Sequence, residues 1–147
     1  MFSLDHVQWE QARMVDEMLQ LTRKYGIRNL VGIFGFMKVF NDEPRDTQGL
    51  AKVKRLVKYS VDRWGAYVDF WELLNEQNAS DQWYQIVIPY LKSIDPYRKP
   101  ITTSWERPEL AGIDLSAPHW YGREDELSSD VDTSHRADGH KLSLIHI

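Results

Sequence analysis

Apolar residues near the start of the chain recur at helical spacing. Leu4, Val7, Met14, Val15, Met18, Leu19 and Thr22 predict an amphipathic helix over about residues 4–25, with Gly26 as its C-terminal stop. Asn29-Leu-Val-Gly-Ile-Phe-Gly-Phe36 is nearly unbroken in its apolarity and of strand length, the pattern of a strand covered on both faces. Residues 41–47 are polar and read as a loop. Leu50, Val53, Val57, Val61 and Trp64 then mark a second helix, closed by Gly65. A second strand, Val68-Asp-Phe-Trp-Glu-Leu-Leu-Asn-Glu76, leads to Ser80, an N-cap for a third helix carrying Trp83, Ile86, Val87, Tyr90 and Ile94. Pro89 is expected to kink or divide that helix. After the turn Asp95-Pro-Tyr-Arg-Lys-Pro100 come two short strands, Ile101–Ser104 and Ile113–Trp120. The order is αβαβαββ.

Helices alternating with buried strands predict a parallel sheet with helices outside it, either doubly wound or part of a (β/α)₈ barrel. Both architectures carry their chemistry at the carboxyl ends of the strands, and each strand here starts apolar and ends polar or aromatic. The four ends are Phe36-Met37, Asn75-Glu76-Gln77, Thr103-Ser104-Trp105 and His119-Trp120-Tyr121. A nucleotide-binding G-x-G-x-x-G is absent: after Gly32 the pattern needs glycine where Phe34 and Met37 stand. Only the eight residues Trp105 to Gly112 join the last two strands, fewer than a full crossover needs, so that connection is a turn or a stub of helix.

Composition narrows the chemistry. The 147 residues are one domain's worth of chain, 42% apolar before glycine is counted, which excludes a disordered or collagen-like protein. No run is long and apolar enough to span a bilayer, and the opening residues are polar where a signal peptide is basic and then apolar. With no Cys, thiol catalysis and disulfides drop out; the five His show no metal-ligand spacing, so neither metal nor cofactor is expected. A net charge of −4 argues against nucleic acid, and Lys52, Lys54, Arg55 and Lys58 read as a solvated helix face. Six Trp, seven Tyr and five Phe exceed the needs of a small core and suit a flat ligand with polar edges.

Trp71-Glu-Leu-Leu-Asn75-Glu76, with Asp95-Pro-Tyr-Arg-Lys-Pro-Ile-Thr-Thr-Ser104 and Ile113-Asp-Leu-Ser-Ala-Pro-His119-Trp-Tyr121, resembles the clan A glycoside hydrolases, most closely the cellulase- and mannanase-like enzymes of family 5. The resemblance spans roughly residues 5–122 and implies a partial (β/α)₈ TIM barrel, about strands 3–6 with their outer helices. It implies retaining hydrolysis of a β-linked oligo- or polysaccharide, with Glu76 as general acid/base and Asn75 on the sugar 2-hydroxyl. His119 and Tyr121 would line the catalytic subsite. The nucleophile would lie on a later strand without counterpart here, so the fragment alone is expected to be inactive. Residues 1–141 would form the barrel piece. The last six, Leu142-Ser-Leu-Ile-His-Ile147, match a translated transposon mosaic-end adapter and read as a non-native tail.

Glycoside cleavage itself fits those residue types. A protonated carboxyl group must donate to the poor leaving oxygen, and in retaining enzymes a second carboxylate attacks from about 5–5.5 Å away. Glu72 cannot be that partner: four residues along a strand separate it from Glu76 by roughly 13 Å. It reads instead as a buried, hydrogen-bonded structural acid.

Each assignment has a plainer rival. Without the resemblance, Glu76 reads as an exposed acid opening a helix. His119 is either a satisfied strand-end histidine or a site residue. Trp105 and Trp120 either stack on pyranose rings or pack as core or lid, while Trp64, Trp71 and Trp83 lie at core spacing. Asn78-Ala-Ser80 is a glycosylation sequon, though Ser80 better fits a cap. The competing functional readings are a non-catalytic carbohydrate-binding remnant and a small domain for a phosphorylated ligand, the latter without the glycine-rich turn it requires. The open edges of a half barrel also predict aggregation or edge pairing.

Overall fold

A computed structural model describes residues 7–35, 46–104, 107, 109–117, 119–120 and 145–146. The chain runs α1 (Trp9–Lys24), β1 (Leu30–Phe34), α2 (Thr47–Trp64), β2 (Phe70–Leu74), α3 (Asp81–Ile94), β3 (Ile101–Ser104) and β4 (Leu115–Ala117), followed by two-residue strands β5 (His119–Trp120) and β6 (Ile145–His146). The first four strands form one sheet in the order β1-β2-β3-β4, and every pairing is parallel. The αβαβαββ order holds, in a mixed α/β fold compatible with a piece of a barrel.

Local chemistry explains the boundaries. Gly26, at φ +72°, turns the chain left-handed after α1 at no steric cost. Asp46 caps α2 by accepting the Gly49 N–H at 2.8 Å, which starts the helix ahead of the first apolar residue. Gly65 follows α2 as expected but keeps right-handed backbone; the Tyr67 and Val68 N–H groups close the end by bonding the Trp64 carbonyl. Ser80 caps α3 through the Trp83 N–H at 3.2 Å. Pro89 neither divides nor ends α3. It faces solvent, where water can reach the carbonyl that loses its partner.

Two strand expectations change. β1 is half-exposed instead of covered on both faces, with Leu30 at 42%; among the described residues β2 is its one strand partner, and it stands at the edge of the sheet. The segment 113–120 is not one strand: Leu115–Ala117 pairs with β3, whereas His119–Trp120 pairs with Ile145–His146. Pro118, between them, has no N–H to carry the ladder through. The connection from β3 to β4 includes a turn at residues 109–112, ending in Gly112 at φ +90°; a Cβ there would lie 2.6 Å from Ile88 Cγ2. Among the described residues no helix is long and apolar enough to cross a membrane.

The core lies between sheet and helices. Trp71, Leu73, Leu74, Trp83, Tyr84, Val53, Val57 and Leu91 are fully buried. Trp71 donates its Nε1 to Asp95 Oδ2 at the end of α3 (3.1 Å), and Thr103 Oγ1 lies 3.4 Å from the Tyr84 hydroxyl on α3. Odd-numbered residues of β2 and β3 therefore face the helices, and Glu72 and Thr102, adjacent in register, face the other way. Trp64, also buried, bonds Asp16 of α1 at 2.8 Å, so all three tryptophans read as core residues are in the core. None of Lys52, Lys54, Arg55 and Lys58 is buried.

Candidate functional site

The best-defined polar constellation lies where β2 ends. Leu73 and Leu74 are fully buried, and over the next two residues the chain emerges: Asn75 and Glu76 are half-buried. Asn75 is fixed from two sides. Its N–H donates to the Phe34 carbonyl of β1 at 3.0 Å, and its Nδ2 reaches Glu72 Oε1 at 3.4 Å. Glu72 is 3% exposed and hydrogen-bonded, as its strand position predicts. Gly32, its register partner on β1, leaves room for its carboxylate: a Cβ at Gly32 would lie 3.1 Å from Glu72 Oε2.

Glu76 is held in a backbone conformation that L-residues rarely adopt, φ +51°. Its N–H donates to Ser104 Oγ at the end of β3, and that hydroxyl donates in turn to the Leu74 carbonyl at 2.9 Å. One buried serine thus ties together the ends of two neighbouring strands. Beyond Glu76, Gln77 donates its Nε2 to the Gly35 carbonyl, closing the segment against β1. Its Oε1 is buried with no hydrogen-bond partner among the described residues, as is Thr102 Oγ1 on the face shared with Glu72.

Asn78 organises the rim. Its Oδ1 accepts from the Ala79 N–H, the Tyr84 hydroxyl and Arg107 Nη1, so its side chain serves the fold whatever the sequon permits. Arg107 also pairs with Asp81 and Glu109 and lies over the Tyr84 ring, 5.6 Å from its centroid. Burial pushes the Tyr84 phenol up from its ordinary pKa.

Of the residues singled out from sequence, Asn75 and Glu76 share the end of β2. His119 and Trp120 have their backbone in β5, and Trp105 and Tyr121 lie outside the described residues. Ser104 escaped the sequence reading as a site residue, although it stands at a polar strand end. Among the described residues no cluster of His, Cys, Asp and Glu could hold a metal ion.

The fold is thus a parallel α/β sheet with polar side chains gathered at one carboxyl-terminal strand end. Comparison with solved structures finds a fold likeness to a glycoside hydrolase. It is similar to a β-glucuronidase from Ruminococcus gnavus in complex with N1-substituted uronic isofagomine, at TM-score 0.52 and 16% identity, over 89% of this chain and 26% of that one. The chain therefore spans about a quarter of that enzyme, and the likeness is one of fold. No protein-family profile and no curated protein matches the sequence.

Proposed function

We propose that this chain carries the acid/base half of a retaining glycoside-hydrolase site. In this reading Glu76 protonates the leaving glycosidic oxygen and later activates water, while Asn75 binds the sugar 2-hydroxyl. His119, Tyr121, Trp105 and Trp120 contact the sugar rings. The nucleophile comes from a strand outside these 147 residues, and the substrate is a β-linked oligo- or polysaccharide of the kind taken by family 5-like cellulases and mannanases. The tail 142–147 contributes nothing to the reaction.

One observation carries the reading. Glu76 sits at a carboxyl-terminal strand end in left-handed backbone, with its N–H tied to Ser104. Holding a non-glycine residue there costs of order 1–3 kcal/mol, and such conformations concentrate at functional sites. The neighbouring Asn75, anchored to β1 and to Glu72, supplies the amide the chemistry needs. The fold likeness to a glycoside hydrolase agrees with this origin.

The test is hydrolysis by the longer polypeptide containing this segment, assayed on β-glucan, β-mannan and an aryl β-glucuronide. Glu76→Gln should lower kcat on the active substrate by about 10²–10⁴-fold, the usual worth of a general acid/base. Hydrolysis unaffected by Glu76→Gln would refute the assignment. Oligosaccharide binding that survives Glu76→Ala without any hydrolysis would instead make the chain a carbohydrate-binding remnant.

A further inference from the structure

β2 reads Phe-Trp-Glu-Leu-Leu, and the carboxylate in the middle of this otherwise apolar strand, Glu72, is 3% exposed. Burying a carboxylate is costly, and a strand that served packing alone would carry an apolar residue there. β1 makes a matching concession. Gly32, the register partner of Glu72, weakens its strand and leaves open the space that a Cβ, 3.1 Å from Glu72 Oε2, would take. Two departures from an apolar strand pattern thus house one carboxylate.

What that carboxylate reaches is the residue beside Glu76: its Oε1 lies 3.4 Å from Asn75 Nδ2. On a continuous strand, residues three apart point to opposite faces. β2 stops at Leu74, the Asn75 N–H bonds the Phe34 carbonyl and Glu76 turns left-handed, and this break in the strand lets the Asn75 amide meet Glu72. The last torsion of an asparagine is soft, so an amide that must meet a ligand in one orientation needs a partner to fix it. With one N–H held by Glu72 the amide plane is set. Its second N–H stays available, as does Oδ1, which has no hydrogen-bond partner among the described residues. Resting on the function proposed above, we infer that Glu72 is a positioning residue: it fixes the Asn75 amide for the hydroxyl at C2 of the sugar, and so makes the site select substrates that carry that hydroxyl.

The test compares hydrolysis of an aryl β-glycoside and of its 2-deoxy counterpart by the longer polypeptide containing this segment. Glu72→Met removes the acceptor at nearly constant volume, and a thermal melt followed by circular dichroism checks that the fold is kept. It should lower kcat on the 2-hydroxy substrate about tenfold and leave the 2-deoxy substrate nearly untouched, so that the preference between them falls about tenfold. Glu72→Gln, which keeps an acceptor oxygen, should restore most of that preference. In an Asn75→Ala background Glu72→Met should cost nothing further, because Glu72 acts through that amide. If Glu72→Met does not fold, Gly32→Ala takes its place: its methyl group presses on the Glu72 carboxylate from β1 and should lower the same preference. Equal losses on both substrates, or independent effects of the Glu72 and Asn75 substitutions, would overturn the proposal while Glu76→Gln still abolishes hydrolysis. Hydrolysis indifferent to Glu76→Gln, or none at all, would instead remove both this proposal and the reading on which it rests.

Discussion

Carboxylates stand at both ends of the sheet and are used in opposite ways. At the amino-terminal ends of the strands, Asp69, Asp95 and Asp114 accept backbone N–H groups. Asp69 takes the Asn29 N–H ahead of β1 at 2.9 Å and pairs with Arg28; Asp114 takes the Ile101 N–H at the start of β3 at 3.0 Å and pairs with Lys92. Asp95, 4% exposed, takes the Tyr97 and Lys99 N–H groups at 2.9 Å and the Trp71 indole. At the carboxyl-terminal end, Glu76 is half-buried on strained backbone, and there the neighbours hold its main chain. One end spends its carboxylates on stability, and the other holds a carboxylate in place at a cost in stability. That is the division of labour expected of parallel α/β sheets, whose carboxyl ends carry chemistry and whose amino ends carry the fold.

The largest effect should come from the amino end. Asp95→Ala leaves three donors without their acceptor, one of them the indole of the fully buried Trp71. The buried indole left unsatisfied costs about 1–3 kcal/mol and the two part-buried N–H groups add to it, so the variant should lose about 2–3 kcal/mol, read as a lowered urea midpoint. Asp95→Asn, which keeps one acceptor oxygen, should lose less. Equal melts for Asp95→Ala and the parent chain would break the comparison at its stronger end.

Ser104→Ala probes the seam between the regions. The buried hydroxyl serves the Glu76 N–H and the Leu74 carbonyl, and its loss should cost about 1–2 kcal/mol. Under the proposed function it should also lower hydrolysis by the longer polypeptide, because Ser104 holds the Glu76 main chain. A stability loss with activity fully retained would make the serine a purely structural tie.

Glu76→Gly should move stability the other way. Glycine adopts φ > 0 freely, and relief of the left-handed conformation at a non-glycine residue is worth about 1 kcal/mol. A higher urea midpoint is expected for this variant; a lower one would mean that the Glu76 side chain contributes more to the fold than its backbone strain costs.

What was legible in the sequence follows from the range of the forces involved. Apolar periodicity over a dozen residues gave the alternation of helices and strands, and Ser80 was read as a cap because its partner is three residues away. Pattern also located the polar end of β2, with Asn75 and Glu76 adjacent. The apolar run of β1 by itself does not report how many neighbours its strand has; its place at the edge follows from the half-barrel reading, which leaves the first strand open. The aspartate clamps were hidden: Asp69 acts on Asn29 from 40 residues away, and Asp95 looked only like the opening of a turn. Ser104 reaches Glu76 across 28 positions, and no residue pattern marks φ +51° at a glutamate.

The smallest effect expected is an acid-limb change at the amino end. Burial pushes the Asp69 carboxyl up, but the Asn29 N–H and the Arg28 guanidinium outweigh it and hold the group below the ordinary aspartate value of 3.8. A carboxyl whose folded pKa is depressed binds its proton less readily folded than unfolded. Its contribution to stability is therefore fully present above pH 3.8 and is lost as pH falls from there through the lowered folded value. Asp69→Asn removes this dependence, so its urea midpoint should fall less steeply than the parent's over that window, and the two curves should converge at the acid end. Asp69 is anchored at the amino end of the sheet, so under the proposed function the same substitution should leave the pH profile of glycan hydrolysis by the longer polypeptide unmoved. A shift of the catalytic profile by Asp69→Asn would show that the two ends are electrostatically coupled and that their separation into structural and chemical roles is incomplete.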